Sequence, residues 1–292
     1  MCLLVALSGV VPGAPLIMAA NRDEQLARPA VAMTTLRESG PRVLGGRDQL
    51  AGGTWLAVNE HGVVAGLTNR PSAAGRDATL RSRGEIPLAF AAHRTAAEAV
   101  RAVAGALDPA AYNPCWLLVG DREQLFFVEV ADGARPRAEE LGPGLHILEN
   151  APLHARSAKS ERVARLVAAE RAARAGSSAE AGPAGETADT VADALAAVLR
   201  DHQPAEPGPA PAAFIPAPAD SALAPAASGP DGRARPPAIS AACVHTAEYG
   251  TRSALIVTVP AAGLPALRVA DGPPCQAPLR DVSRLWTGPA LV

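Results

Sequence analysis

The first twenty residues constrain the fold more than any other stretch. Residues 2–7 and 16–20 are unbroken apolar runs, and Val11-Pro12-Gly13-Ala14-Pro15 stands between them. Two prolines and a glycine stop regular structure, because the ring removes an N–H donor and glycine turns where other residues cannot. Each run has the length of a strand, and neither approaches the roughly 20 residues needed to cross a bilayer. The reading is an antiparallel hairpin, strand 2–9, turn 11–15, strand 16–21. A signal peptide is the competing reading, since the segment ends in Met18-Ala19-Ala20. No Lys or Arg precedes Arg22, so the cationic start of such a peptide is missing. The expected location is the cytoplasm, with no insertion into membranes.

The hairpin also places a reactive group at the head of a strand. Cys2 follows Met1 directly, and removal of that methionine would leave a cysteine carrying both thiol and α-amine. The amine titrates near about 7.7–8.0 and a free thiol near about 8.5, so proton exchange between them is easy around neutrality. A nucleophile with its own amine as general base is a working solution for acyl transfer.

A second hairpin follows. Residues 54–58 and 63–67 flank Asn59-Glu60-His61-Gly62, with glycine where positive φ is expected. Successive hairpins give antiparallel sheet, without the alternating helices of a dinucleotide-binding fold. Gly45-Gly46-Arg47-Asp48 and Gly52-Gly53 read as a constrained surface loop, and they lack the strand–glycine–helix context of a phosphate cradle. Thr95-Ala96-Ala97-Glu98 fits a capping box, with Ala99, Val100, Val103, Ala104 and Leu107 on one helical face. Pro87 suits the first turn of a preceding helix. Strands are expected at 115–119, 125–130, 145–149 and 253–259, and helices at 160–174 and 187–201. Strands, helices, then strands fit an α+β protein with a four-layer αββα sandwich.

Residues 203–237 are rich in Pro and Ala and poor in large apolar groups. Such a stretch cannot bury enough surface to offset its ordering entropy, so it reads as a low-complexity insertion in a single domain spanning 1–292. Aromatics are only 3% of the chain against 48% hydrophobic residues, so the core must rest on small and β-branched side chains. A net charge of −2 provides no electrostatic footprint for nucleic acid. The four cysteines show no C-x-x-C spacing, so neither a disulfide scaffold nor a metal or other cofactor is expected. Cys115 and Cys243 read as buried small hydrophobes. His245 lies two residues from Cys243, but without a third ligand the pair is poor metal evidence.

A series of short motifs then sharpens the reading. Ala20-Asn21-Arg22-Asp23-Glu24, Arg28-Pro29, Gly45-Gly46-Arg47-Asp48, Gly52-Gly53-Thr54-Trp55, Asn59-Glu60-His61-Gly62 and Leu67-Thr68-Asn69-Arg70 occur in order over residues 1–70. Leu148-Glu149-Asn150-Ala151-Pro152 and Tyr249-Gly250-Thr251-Arg252-Ser253 continue the pattern. This ordered set resembles the NRDE family, the transport-and-Golgi-organisation type, which is similar to the N-terminal-nucleophile hydrolases. The resemblance implies thiol-dependent hydrolysis or transfer on a linear amide, through a thioester on Cys2. It also implies a rival of another class, a non-catalytic carrier of haem-like or acyl-lipid ligands in the same pocket.

The resemblance also assigns roles. Asp23 corresponds to the aspartate set beside the nucleophile. Relatives carry an arginine three positions earlier, where this chain has Ala20; Arg22 is the candidate replacement. Neighbours on a regular strand point to opposite faces, so Arg22 and Asp23 cannot both face Cys2 without a bulge or turn. Asn21 would share Asp23's face. Asn69 and Asn150 are the oxyanion candidates, Asn150 the closer match, although relatives often carry Trp and Lys soon after it, whereas here Leu153-His154-Ala155-Arg156 intervenes and no Trp appears. Arg252 corresponds to the arginine that lies against the nucleophile, where it would favour the thiolate. A polar strand end with a turn is the plainer alternative for Asp23 and the asparagines, and an exposed strand-end arginine for Arg252.

Overall fold

The computed structural model describes residues 2–72, 75–131, 133–177, 186–205 and 237–288. Of the insertion expected over 203–237, residues 206–236 lie outside the described residues. The chain opens with β1 (Cys2–Ser8) and β2 (Leu16–Gln25), paired antiparallel with Cys2 opposite Arg22. Then come β3 (Ala30–Arg37), β4 (Val43–Asp48), β5 (Leu56–Asn59) and β6 (Val64–Asn69). Helices α1 (Glu85–Phe90) and α2 (Ala96–Ala106) precede β7 (Cys115–Gly120), β8 (Leu125–Val130), β9 (Arg137–Leu141) and β10 (Gly144–Leu148). The remainder is α3 (Ala158–Ser177), α4 (Ala188–Leu199), β11 (Tyr249–Val259), β12 (Ala266–Ala270) and β13 (Arg280–Asp281).

The strands make two antiparallel sheets, in the orders β10-β1-β2-β11-β12-β13 and β3-β4-β5-β6-β7-β8-β9. Strand alternation divides the buried side chains between layers. Leu4, Ala6, Met18 and Ala20 meet Leu44, Leu56, Val64 and Leu118 between the sheets. Leu3, Val5, Leu7, Ile17 and Ala19 point the other way, onto Val163, Val167, Val191 and Leu195 of α3 and α4. On the second sheet Ala65, Leu67, Leu117 and Val119 receive Ile86 and Phe90 of α1 and Ala99 and Val100 of α2. The result is an αββα sandwich. All three tryptophans join the inter-sheet layer, and its other buried residues are Leu, Val, Ala and Met, with the half-buried Phe127 packed against them.

Two expectations need correction. Gly45 and Gly46 do not lie in a surface loop but in β4, both buried. A Cβ on Gly46 would collide with the Trp55 ring and one on Gly45 with the Leu56 carbonyl, so glycine lets β4 lie close against residues 55–56. The α2 cap is half a capping box: Thr95 Oγ1 accepts from Glu98 N at 3.1 Å, while Glu98 Oε2 accepts from Arg94 N at 3.2 Å. A complete box occurs instead at α4, between Thr187 and Thr190. The hairpin turn at 59–62 is as expected, with Gly62 at φ 90° and Asn59 Oδ1 accepting from His61 N and Val63 N. Among the described residues, no helix is long and apolar enough to cross a membrane.

Candidate active site

Cys2 heads β1 at the rim of the inter-sheet layer, half-buried. Its nitrogen donates to Asn150 Oδ1 at 3.2 Å, and Asn150 Nδ2 donates to the Asn69 carbonyl at 2.6 Å. Asn150 follows β10 and Asn69 ends β6, so this side-chain amide ties one sheet to the other at the strand that carries the thiol. The Asp23 backbone N–H is directed at the thiol. Burial pushes the thiol above its ordinary range, and the Asp23 charge adds to the rise.

The cleft in front of Cys2 has a volume of about 480 Å³. Five arginines line it, Arg22, Arg28, Arg76, Arg81 and Arg83, against the carboxylates of Glu24 and Asp48. Arg22 is 3% exposed; its guanidinium carbon lies 4.4 Å from the Trp55 ring centroid, and Nη2 donates to Asp48 Oδ2 at 3.2 Å. Its other terminal nitrogen, Nη1, is buried and has no hydrogen-bond partner among the described residues. Burial works against the Asp48 charge, but hydrogen bonds from Arg28 and the Ala51 N–H outweigh it and hold this carboxyl below the usual range. Burial pulls the Arg83 guanidinium down.

The alternation expected for β2 is observed. Arg22 pairs with Cys2 and shares the inter-sheet face, while Asn21 and Asp23 point toward the helices. Asn21 Nδ2 donates to the carbonyls of Leu199 (2.9 Å) and Ala242 (2.8 Å). Asp23 Oδ1 accepts from Thr251 Oγ1 at 2.6 Å, and Oδ2 lies 3.7 Å from Lys159 Nζ. Both partners of that ion pair are buried, and desolvation raises the Asp23 carboxyl despite the Lys159 charge beside it. Lys159, in the first turn of α3, belongs to none of the motifs in the sequence; its one signal is that it is the only lysine of the chain.

Asn150 lies beside Cys2 as expected, whereas Arg252 does not. Asn150 spends its carboxamide on the Cys2 nitrogen and the Asn69 carbonyl, and Asn69 is the asparagine whose side chain opens on the cleft. Arg252 is not in this cleft. A bulge in β11 between Thr251 and Ser253 turns it toward the Leu26 carbonyl, and it lines a second cavity of about 400 Å³ with His245 and Thr246. Near that cavity Cys275 meets Cys243 and His245, a contact invisible in the spacing of the sequence. Cys115 is a core residue, its thiol pushed up to about 12 by burial.

The family model described as Transport and Golgi organisation 2 matches residues 1–265. No curated protein matches the chain. Among solved structures, the mutant C2A of the conjugated bile acid hydrolase from Clostridium perfringens aligns with a TM-score of 0.51 at 10% identity, covering 100% of this chain and 96% of that one. The penicillin V acylase from Agrobacterium tumefaciens aligns at 0.45 and 14% identity, covering 97% and 87%. The shared fold is that of the N-terminal-nucleophile hydrolases.

Proposed function

We propose that this chain, which belongs to the Transport and Golgi organisation 2 (NRDE) family, hydrolyses or transfers the acyl group of a linear amide through Cys2. The observation that carries the reading is the orientation of both reactive groups on one residue. The Cys2 nitrogen is held by Asn150 Oδ1 at 3.2 Å, and the thiol sits at a cleft of about 480 Å³. With Met1 removed, that nitrogen is an α-amine anchored beside its own thiol. A thiol raised by burial is scarce as thiolate at neutral pH, so attack needs a base to take its proton, and the amine is the base at hand.

In this reading the sulfur adds to the amide carbonyl while the amine takes the thiol proton. The Asn69 carboxamide donates to the resulting oxyanion, and Asn150 positions the amine. Collapse breaks the C–N bond, the ammonium returns its proton to the leaving amine, and a thioester remains on Cys2. Water, or an acceptor nucleophile, then attacks the thioester with the same amine as base. Arg22 stabilises charge on the nucleophile's side of the sheet, and Asp23 with Lys159 fixes the end of β2. The excess of guanidinium groups and the unpartnered Arg22 Nη1 favour an acyl substrate that carries an anionic group.

The test combines intact mass, an electrophilic acyl probe and two variants. Met1 should be absent from the isolated chain and the probe should label Cys2. Cys2→Ala should abolish turnover with substrate binding retained. Asn69→Ala should slow turnover about 10²–10³-fold, the range for one lost oxyanion donor. If Cys2→Ala instead keeps full biological effect and ligand affinity, and no thioester forms, the chain is a carrier and the catalytic reading is wrong.

A further inference from the structure

The Cys2 cleft does not use every nucleophilic group in the molecule. Cys243, His245 and Cys275 converge in the layer of turns beyond the first sheet, and none of them lines that cleft. Cys243 Sγ lies 3.7 Å from Cys275 Sγ and 3.5 Å from His245 Nε2, and His245 Nε2 lies 3.1 Å from Cys275 Sγ. We propose that these three side chains form a binding site for a thiophilic divalent cation, zinc in the first instance.

The argument is geometric. A tetrahedral zinc ion with Zn–S of about 2.3 Å and Zn–N of about 2.0 Å sets its ligand sulfurs about 3.8 Å apart and sulfur from nitrogen about 3.5 Å apart. Two of the three observed edges fall on those values. The third, at 3.1 Å, involves the imidazole, which is exposed and is the least packed of the three groups. A disulfide would account for less: its sulfurs must close to about 2.05 Å, and it has no use for an imidazole nitrogen directed at both of them. Two thiolates and an imidazole are the donor set that soft-leaning divalent metals prefer.

The turns that carry the ligands are already held. Cys243 N donates to the Asp201 carbonyl at 2.8 Å, and Val244 exchanges bonds with Thr251 through its N–H (2.8 Å) and its carbonyl (2.9 Å). Cys275 sits in a turn closed by Gln276 N and Ala277 N on the Pro273 carbonyl. Three protein ligands leave one coordination position, which opens to solvent on the exposed His245 side, with the His202 ring edge-on at a centroid distance of 6.1 Å. Binding releases the two thiol protons, so affinity should rise with pH. The site is tied to the first sheet: Val244 N–H donates to Thr251 Oγ1, which donates to Asp23 Oδ1, so a metal that pins residues 243–245 also steadies the carboxylate behind Cys2.

The experiment is cobalt and zinc titration of the reduced full-length chain. Wild type and Cys2→Ala should each take up one cobalt ion, with thiolate-to-metal charge-transfer absorption in the near ultraviolet, and zinc should displace it. Cys275→Ser and His245→Ala, both at solvent-accessible positions, should fold yet lose the charge-transfer band. Zinc should raise the melting temperature of wild type and Cys2→Ala but not of Cys275→Ser. The proposal fails if the reduced wild type binds no cobalt, or if Cys275→Ser and His245→Ala keep the band. It fails equally if Cys2→Ala is the variant that loses it. Isolation of a Cys243–Cys275 disulfide that, once reduced, still takes up no metal would overturn it in favour of a redox pair.

Discussion

At the residue scale, the thiol that the proposed chemistry needs is held in its protonated form by its surroundings. Burial is the larger cause and the Asp23 charge a lesser one, both disfavouring the thiolate. The sign follows directly: alkylation of Cys2 by iodoacetamide should accelerate with rising pH through a midpoint above that of a free thiol. Asp23→Asn removes a negative charge, so its midpoint should lie lower than the wild type's. A midpoint unchanged by Asp23→Asn would show that Asp23 does not act on the sulfur. Arg22 is the residue that shares Cys2's face, which the strand period allowed but could not choose, because the choice depended on the β1–β2 register.

At the element scale, β4 shows how a local motif misleads. Paired glycines around Arg47-Asp48 suggest a loop, yet the strand exists because the Trp55 ring occupies the space a side chain at Gly46 would need. Trp55 in turn lies against the Arg22 guanidinium. Gly46→Ala should therefore cost about 1–3 kcal/mol through overpacking, read as a lower urea midpoint at unchanged slope. Gly46→Ala with wild-type stability would mean that the ring can move aside freely. Asn59 illustrates the opposite case. Its turn was legible from Asn59-Glu60-His61-Gly62, because Oδ1 closes the turn on residues 61 and 63, even though Nδ2 also reaches the distant Ala91 and His93 carbonyls.

Across the whole molecule, the ion pair of Lys159 and Asp23 joins a helix layer to the first sheet with both side chains out of water. Removing one member of such a pair strands the other, so Lys159→Met should cost about 3–5 kcal/mol in chemical denaturation. The double variant Lys159→Met with Asp23→Asn should recover much of that loss, since no charge is then left buried. Equal stability of the single and double variants would show that the pair is not coupled. Asp23 itself, with a folded-state carboxyl raised above its unfolded value, binds its proton more tightly when folded. The penalty of burying its charge is thus relieved as pH falls through the folded value, whereas Asp48, held low, loses its stabilising contribution in acid.

The layer order and the candidate nucleophile were readable from the sequence, because both depend on short-range facts. The apolar runs of strand length at residues 2–7 and 16–20, the Val11–Pro15 break, and Cys2 at the head of the first strand all act within a few residues of one another. Roles that depend on long-range closure were decided only in three dimensions. The β11 bulge sends Arg252 to the second cavity, and the meeting of Asn150 with Asn69 turns one asparagine to the Cys2 nitrogen and leaves the other facing the cleft. Lys159 becomes Asp23's partner only when α3 packs on the sheet, and Cys275 joins Cys243 and His245 only when the turn after β12 folds back on β11. Separations of 136 and 32 residues carry no periodic signal, so contacts of this kind are set by packing and not by pattern.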